Sequence, residues 1–179
     1  MANKNILVGV CGGVAIYKTL SLIRLLKKND YDIQVIMTEN ATKLINPQLF
    51  SSISGNFVRT KTFDDTTNKI VHIDLSRWAD LIVVVPATAN IIGKLANGIA
   101  DDLLSTMLMG SNKQIMIAPA MNTEMYNSLA FQRNLKQIKS DGVIVIDSCD
   151  GSLACGESGK GRMEEPENIF GKIDKYFHK

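Results

Sequence analysis

Three cysteines, two histidines and a formal charge of only +2 leave several kinds of function without the residues they need. Twenty basic side chains are balanced by 18 acidic ones, and no basic stripe with interleaved aromatics is present, so nucleic-acid binding lacks its electrostatic footprint. Cys11, Cys149 and Cys155 are odd in number and lack zinc-ligand spacing, and His72 and His178 lie far apart. A disulfide framework, a structural zinc site or another metal centre is therefore not expected, and a reducing, cytoplasmic compartment is. No apolar run approaches the ~20 residues that cross a bilayer, and the start carries no cleavable secretory pattern. What is present is globular: 45% apolar and 21% charged residues over 179 positions, enough for one domain (1–179) with a real core.

That core is written in short apolar runs. Ile6–Val10, Ile33–Met37, Leu81–Val85, Gln114–Ala118 and Val143–Ile146 read as strands buried on both faces. Between them, 15–28, 41–53, 90–109 and 123–140 read as helices, and a closing helix starts at Pro166. Residues 57–63 are a candidate short extra strand. Strands alternating with helices imply a mostly parallel α/β sheet, and right-handed crossovers place helices on both of its faces. In such sheets ligands bind beyond the carboxyl ends of the strands, which directs attention to 11–14, 38–40, 86–91, 119–125 and 147–163.

Each of those ends has two readings. Cys11-Gly12-Gly13-Val14-Ala15 is either a tight strand-to-helix turn or a phosphate cradle before a helix N-terminus; it lacks the full dinucleotide glycine pattern. Thr38-Glu39-Asn40 offers small hydrogen-bonding groups. Thr88 and Asn90, in Pro86-Ala87-Thr88-Ala89-Asn90, can cap a helix or hold a phosphate or the polar edge of a planar ring. Asn122 or Thr123 can cap the next helix, with Met121 and Met125 as its core, or Asn122 can present its amide to a carboxylate. Three polar ends in one crevice favour a phosphate-bearing ligand. His72, in an apolar stretch read as extended with Asp74 on its side, is a satisfied structural residue or a base. Cys155 sits in the glycine-rich stretch 152–163, SLACGESGKGRM, with Lys160 and Arg162 near it. It is either a small buried hydrophobe or an activated thiol on a mobile loop.

Taken together, Pro86-Ala87-Thr88-Ala89-Asn90, Pro119-Ala120-Met121-Asn122-Thr123-Glu124-Met125-Tyr126, and Leu153-Ala154-Cys155-Gly156 through Gly161-Arg162-Met163 resemble three motifs of the FMN-dependent cysteine decarboxylases. Thr88 stands where the family has Ser, and Tyr126 where it has Trp. The cysteine-bearing third block resembles the branch acting in coenzyme A biosynthesis rather than the peptidyl-cysteine decarboxylases. The resemblance implies a flavodoxin-like (Rossmann-like) three-layer sandwich, with a substrate lid at about 147–163. It also implies a homotrimer or homododecamer with FMN between subunits. Its carried-over FMN contacts are Gly12, Gly13, Val14, Thr38, Asn40, Thr88, Ala89, Asn90, Ile91 and Ala120. His72 becomes the base, Asn122 the carboxylate ligand and Cys155 the proton donor, with Met125, Ala154 and Lys160 in the substrate clamp. Lys160 and Arg162 are also cations that a substrate phosphate would meet. Because the chain ends soon after the lid, it resembles the stand-alone form, not the one fused to a synthetase.

The implied substrate is 4'-phosphopantothenoylcysteine, decarboxylated to 4'-phosphopantetheine. An amide-linked cysteine has no place for the electron pair that CO2 leaves behind. Oxidising CH2–SH to CH=S supplies one, and flavin can take the hydride and later return it. Other flavin enzymes on the scaffold, such as a peptidyl-cysteine decarboxylase or a flavin prenyltransferase, and a non-catalytic regulatory subunit are the alternatives.

Overall fold

The structure is a computed structural model and describes residues 4–63, 70–152 and 158–178. In chain order it runs β1 (Asn5–Val10), α1 (Ile16–Lys28), β2 (Asp32–Met37), α2 (Glu39–Leu44), α3 (Pro47–Ser54), α4 (Val71–Trp78), β3 (Leu81–Ala87) and α5 (Ala89–Ala96). It continues α6 (Leu103–Met109), β4 (Gln114–Pro119), α7 (Thr123–Asn127), α8 (Leu129–Ser140), β5 (Ile144–Val145), β6 (Cys149–Ser152), β7 (Ser158–Arg162) and α9 (Pro166–Phe177). Five strands form one parallel sheet in the order β2-β1-β3-β4-β5. Every residue of β3 is buried, as a central strand covered on both faces must be. Leu22, Ile23, Phe50 and Ile169 of α1, α3 and α9 pack on one face. Leu75, Ile92, Leu104 and Phe131 of α4, α5, α6 and α8 pack on the other. The result is the expected three-layer sandwich. Among the described residues, no helix is long and apolar enough to cross a membrane.

Local chemistry breaks three helices that apolar periodicity alone reads as continuous. The stretch 41–53 splits where Asn46 accepts from the Gln48 N–H at 2.9 Å and Pro47 opens α3. The stretch 90–109 splits at Asn97-Gly98, where Gly98 has φ +66°, before Asp102 and Ser105 close a capping box on α6. The stretch 123–140 splits at Ser128, whose Oγ accepts from the Phe131 N–H. Residues 57–63 form no strand; Arg59 makes only an isolated bridge to Ile36. The stretch around His72 is helix α4, not extended chain, so Asp74 is not its same-side neighbour. The fifth strand is confined to Ile144–Val145. Rather than an unstructured loop, 147–163 opens and closes with the antiparallel pair β6 and β7.

Candidate active site at the strand ends

Sheet order reverses direction between β1 and β3, and the segments following these strands diverge to opposite faces. A crevice of about 970 Å³ opens there, within the usual range for a cofactor site. Register slips between Val84 and Ala87 just before the strand delivers Thr88 to its wall. All ten residues carried over as flavin contacts line this one crevice: Gly12, Gly13, Val14, Thr38, Asn40, Thr88, Ala89, Asn90, Ile91 and Ala120. Asn122 and Met125 line it as well.

The two glycines of the first turn do different work. A Cβ on Gly12 would lie 2.7 Å from the Asn40 carbonyl carbon and 2.9 Å from its oxygen, so this residue lets the first and second strand ends close on each other. A Cβ on Gly13 would meet Pro86 and Thr88 only at 3.7 Å. Gly12→Ala is therefore expected to cost about 1–3 kcal/mol, because backbone cannot rotate away as a side chain can. Gly13→Ala should cost clearly less, and thermal unfolding of the two variants side by side checks this.

Thr38 caps α2, accepting from the Ala41 N–H at 3.4 Å. Thr88 occupies the cap position of α5, but its side chain makes no capping bond. For Asn122 both readings hold at once. Its Oδ1 accepts from the Met125 N–H at 2.8 Å, capping α7. The amide is thereby oriented, and its Nδ2 donor has no recorded protein partner among the described residues.

Two features of the crevice were not singled out from sequence. Lys94 Nζ bridges Asp101 at 2.5 Å and Asp102 at 2.6 Å. Burial alone would lower the Lys94 ammonium, but the paired carboxylates overcome this and raise it. Both aspartates are held below the usual carboxylate range, with the hydrogen bond from Lys94 the largest lowering influence on each. Reading 90–109 as one helix hid the turn that folds Asp101 back onto Lys94; the Asn97-Gly98 pair was the available signal. Cys11 lies on the crevice wall, yet burial pushes its thiol up to about 12, against the hydrogen bonds it shares with Thr88. It is a thiol, not a thiolate, at neutral pH.

The other predicted residues are placed differently. His72 lies in the first turn of α4 and does not line the crevice of its own chain; its Nδ1 is buried with no hydrogen-bond partner among the described residues. Lys160 is exposed on β7 opposite Asp150 and does not line it either. Cys155 and Ala154 lie outside the described residues. The hairpin stem that carries them docks on the Asn122 loop: the Met121 N–H donates to the Gly161 carbonyl at 3.0 Å. A Cβ on Gly161 would come within 2.4 Å of the Met121 oxygen, so only glycine permits this approach. Cys149, at the base of the hairpin, donates to Glu164 Oε1 at 3.0 Å, and that bond raises its thiol. Among the described residues, no cluster of three or more His, Cys, Asp or Glu side chains could hold a metal ion.

A parallel sheet in this order, with glycine, hydroxyl and amide groups gathered at its switch point, defines a flavodoxin-like α/β protein with a site for a phosphate-bearing cofactor. The family described as Flavoprotein matches residues 1–178, and the chain belongs to it. The chain is 47% identical over 176 residues to the coenzyme A biosynthesis bifunctional protein CoaBC of Bacillus subtilis (strain 168), covering 98% of this chain and 43% of that protein. It thus spans less than half the length of the curated relatives it matches. Among solved structures it is similar to a cysteine-to-serine mutant of PPC decarboxylase complexed with pantothenoylaminoethenethiol. That pair shares 27% identity and a TM-score of 0.85, with 99% of this chain and 100% of the other covered. The FMN-dependent cysteine decarboxylase SpaF is similar at 28% identity and TM-score 0.84, over 96% and 95% of the two chains.

Proposed function

We propose that this chain catalyses the FMN-dependent decarboxylation of 4'-phosphopantothenoylcysteine to 4'-phosphopantetheine, a carboxy-lyase step of coenzyme A synthesis. The observation that carries this reading is the Asn122 amide, fixed by its cap bond on the wall of a crevice that suits a flavin. The crevice fits FMN in kind. Gly12 and Gly13 precede α1, whose N-terminal N–H groups and dipole favour phosphate. Thr38, Asn40, Thr88 and Asn90 offer neutral partners for a heteroaromatic edge, and Val14, Ile91 and Ala120 offer apolar surface.

When bound, FMN supplies a reversible two-electron oxidation of the substrate's CH2–SH carbon, so no net redox change results. The residues do the rest. Asn122 donates to the substrate carboxylate without a charge. It therefore orients the group while adding no ion pair that would favour the ground state over the state losing CO2. His72 accepts the thiol proton. Cys155 supplies the proton for the final reduction, and a reducing cytosol keeps that thiol available.

Because His72 is absent from the crevice of its own chain, a second copy must bring it. Two separate apolar surfaces support such a contact. Val14 and Tyr17 on the crevice rim are 66% and 59% exposed, while Ile70 and Ile73, at the start of α4, are 59% and 36% exposed. Different patches meeting head to tail close a ring, here a trimer, alone or built further into a dodecamer. The purified protein is expected to be yellow and to release FMN on denaturation. With Cys155→Ser, CO2 should still leave phosphopantothenoylcysteine while phosphopantetheine fails to form. A colourless protein that takes up no flavin, or full turnover by that variant, would contradict the reading.

A further inference from the structure

We propose that Arg162, held by Glu165 and backed by Lys18, forms an anion subsite at the crevice mouth that receives the phosphate of the substrate. The proposal rests on the decarboxylase reading above and names a specificity-determining residue for it. Lys18 stands on the buried face of α1 and is only 7% exposed, a rare place for lysine without a partner. Its Nζ donates to Glu165 Oε1 at 2.8 Å and to the Met163 carbonyl at 3.4 Å. The same Glu165 oxygen accepts from Arg162 Nη2 at 2.6 Å. One carboxylate therefore serves two cations, and the cluster keeps a net positive charge.

The guanidinium is also shaped into place from its other side. The Arg162 side chain passes close over Gly151, where a Cβ would lie 2.9 Å from Nη1 and 3.1 Å from Cδ, so a larger residue there would push the guanidinium aside. Lys18, Arg162 and Met163 all line the crevice, and Arg162 remains partly open to solvent. Hydrogen bonding from Lys18 holds the Glu165 carboxyl below its usual range, so the anchor stays ionised.

A fixed guanidinium fork matches phosphate oxygens better than a flexible ammonium does, which separates Arg162 from the exposed Lys160 on the same strand. The substrate carries two anionic groups, and only one of them reacts. A cation at the carboxylate would resist CO2 loss, whereas a cation at the distant phosphate adds affinity without opposing the chemistry. Neutral Asn122 thus suits the first group and Arg162 the second.

The experiment compares holoenzyme turnover of phosphopantothenoylcysteine with that of its dephospho analogue, pantothenoylcysteine, together with FMN content. The ratio of the two kcat/KM values is the readout. In Arg162→Ala that phosphate preference should fall about 10- to 100-fold, mainly through KM for the phosphorylated substrate, with FMN retained. Arg162→Lys should keep part of the preference. Glu165→Gln should lose part of it, as expected of a positioning residue. Equal loss on both substrates would assign Arg162 to the carboxylate or to the fold and overturn the proposal. Loss of FMN with the preference intact would assign it to the flavin phosphate and overturn it too. Wild-type enzyme releasing CO2 from neither substrate would instead refute the underlying decarboxylase reading.

Discussion

Asn122→Asp is expected to lower kcat/KM by about a thousandfold while leaving the fold in place. The two side chains are nearly isosteric, and aspartate caps a helix as well as asparagine does, so the bond to the Met125 N–H survives. Stability should change by no more than about 0.5 kcal/mol. What changes, on the proposed reading, is the group offered to the substrate carboxylate: a neutral donor becomes an anion. Two unit charges about 4 Å apart at an effective dielectric near 20 repel by about 4 kcal/mol, and the lost hydrogen bond adds to that. Thermal unfolding and steady-state CO2 release, measured on one preparation, separate the two effects. An Asp variant as active as wild type would remove Asn122 from the site, and one that unfolds would reduce it to a helix cap.

The sheet was legible because parallel strands buried on both faces leave an uninterrupted apolar record. Ile6–Val10 and Leu81–Val85 could hardly be anything else, and a 3.6-residue stripe marked α1. The crevice was legible for a related reason: in a sheet of this order, residues just past the strands must converge whatever their separation in sequence. Helix breaks were not, because apolar periodicity runs straight through a cap. Asn46-Pro47, Asn97-Gly98 and Ser128 each stop a helix by local hydrogen bonding or a positive φ, while the apolar stripe continues beyond them. Helix α4 carries its signal in Val71, Leu75 and Trp78 at i, i+4 and i+7, but it is only two turns long and has no side-chain cap, so the short apolar stretch also fits an extended segment. The Lys94 cluster had a local signal in Asn97-Gly98, whereas the Lys18 cluster joins residues 147 apart, which no local pattern encodes.

His72 gives the strongest reason to regard the site as shared. On the reading proposed above, the imidazole on α4 does not reach the crevice of its own chain, and Ile70 and Ile73 leave exposed apolar surface at the start of its helix for a second copy to cover. The direct measurement is co-expression of two separately tagged variants, His72→Ala and Asn122→Ala, followed by isolation of the mixed oligomers. Each variant alone is expected to be inactive. In a mixed trimer of either composition, one of the three sites pairs an intact Asn122 from one copy with an intact His72 from its neighbour, so about a third of wild-type decarboxylation should return. Mixed oligomers no more active than either parent would contradict a site built between copies, and with it the role given to the imidazole.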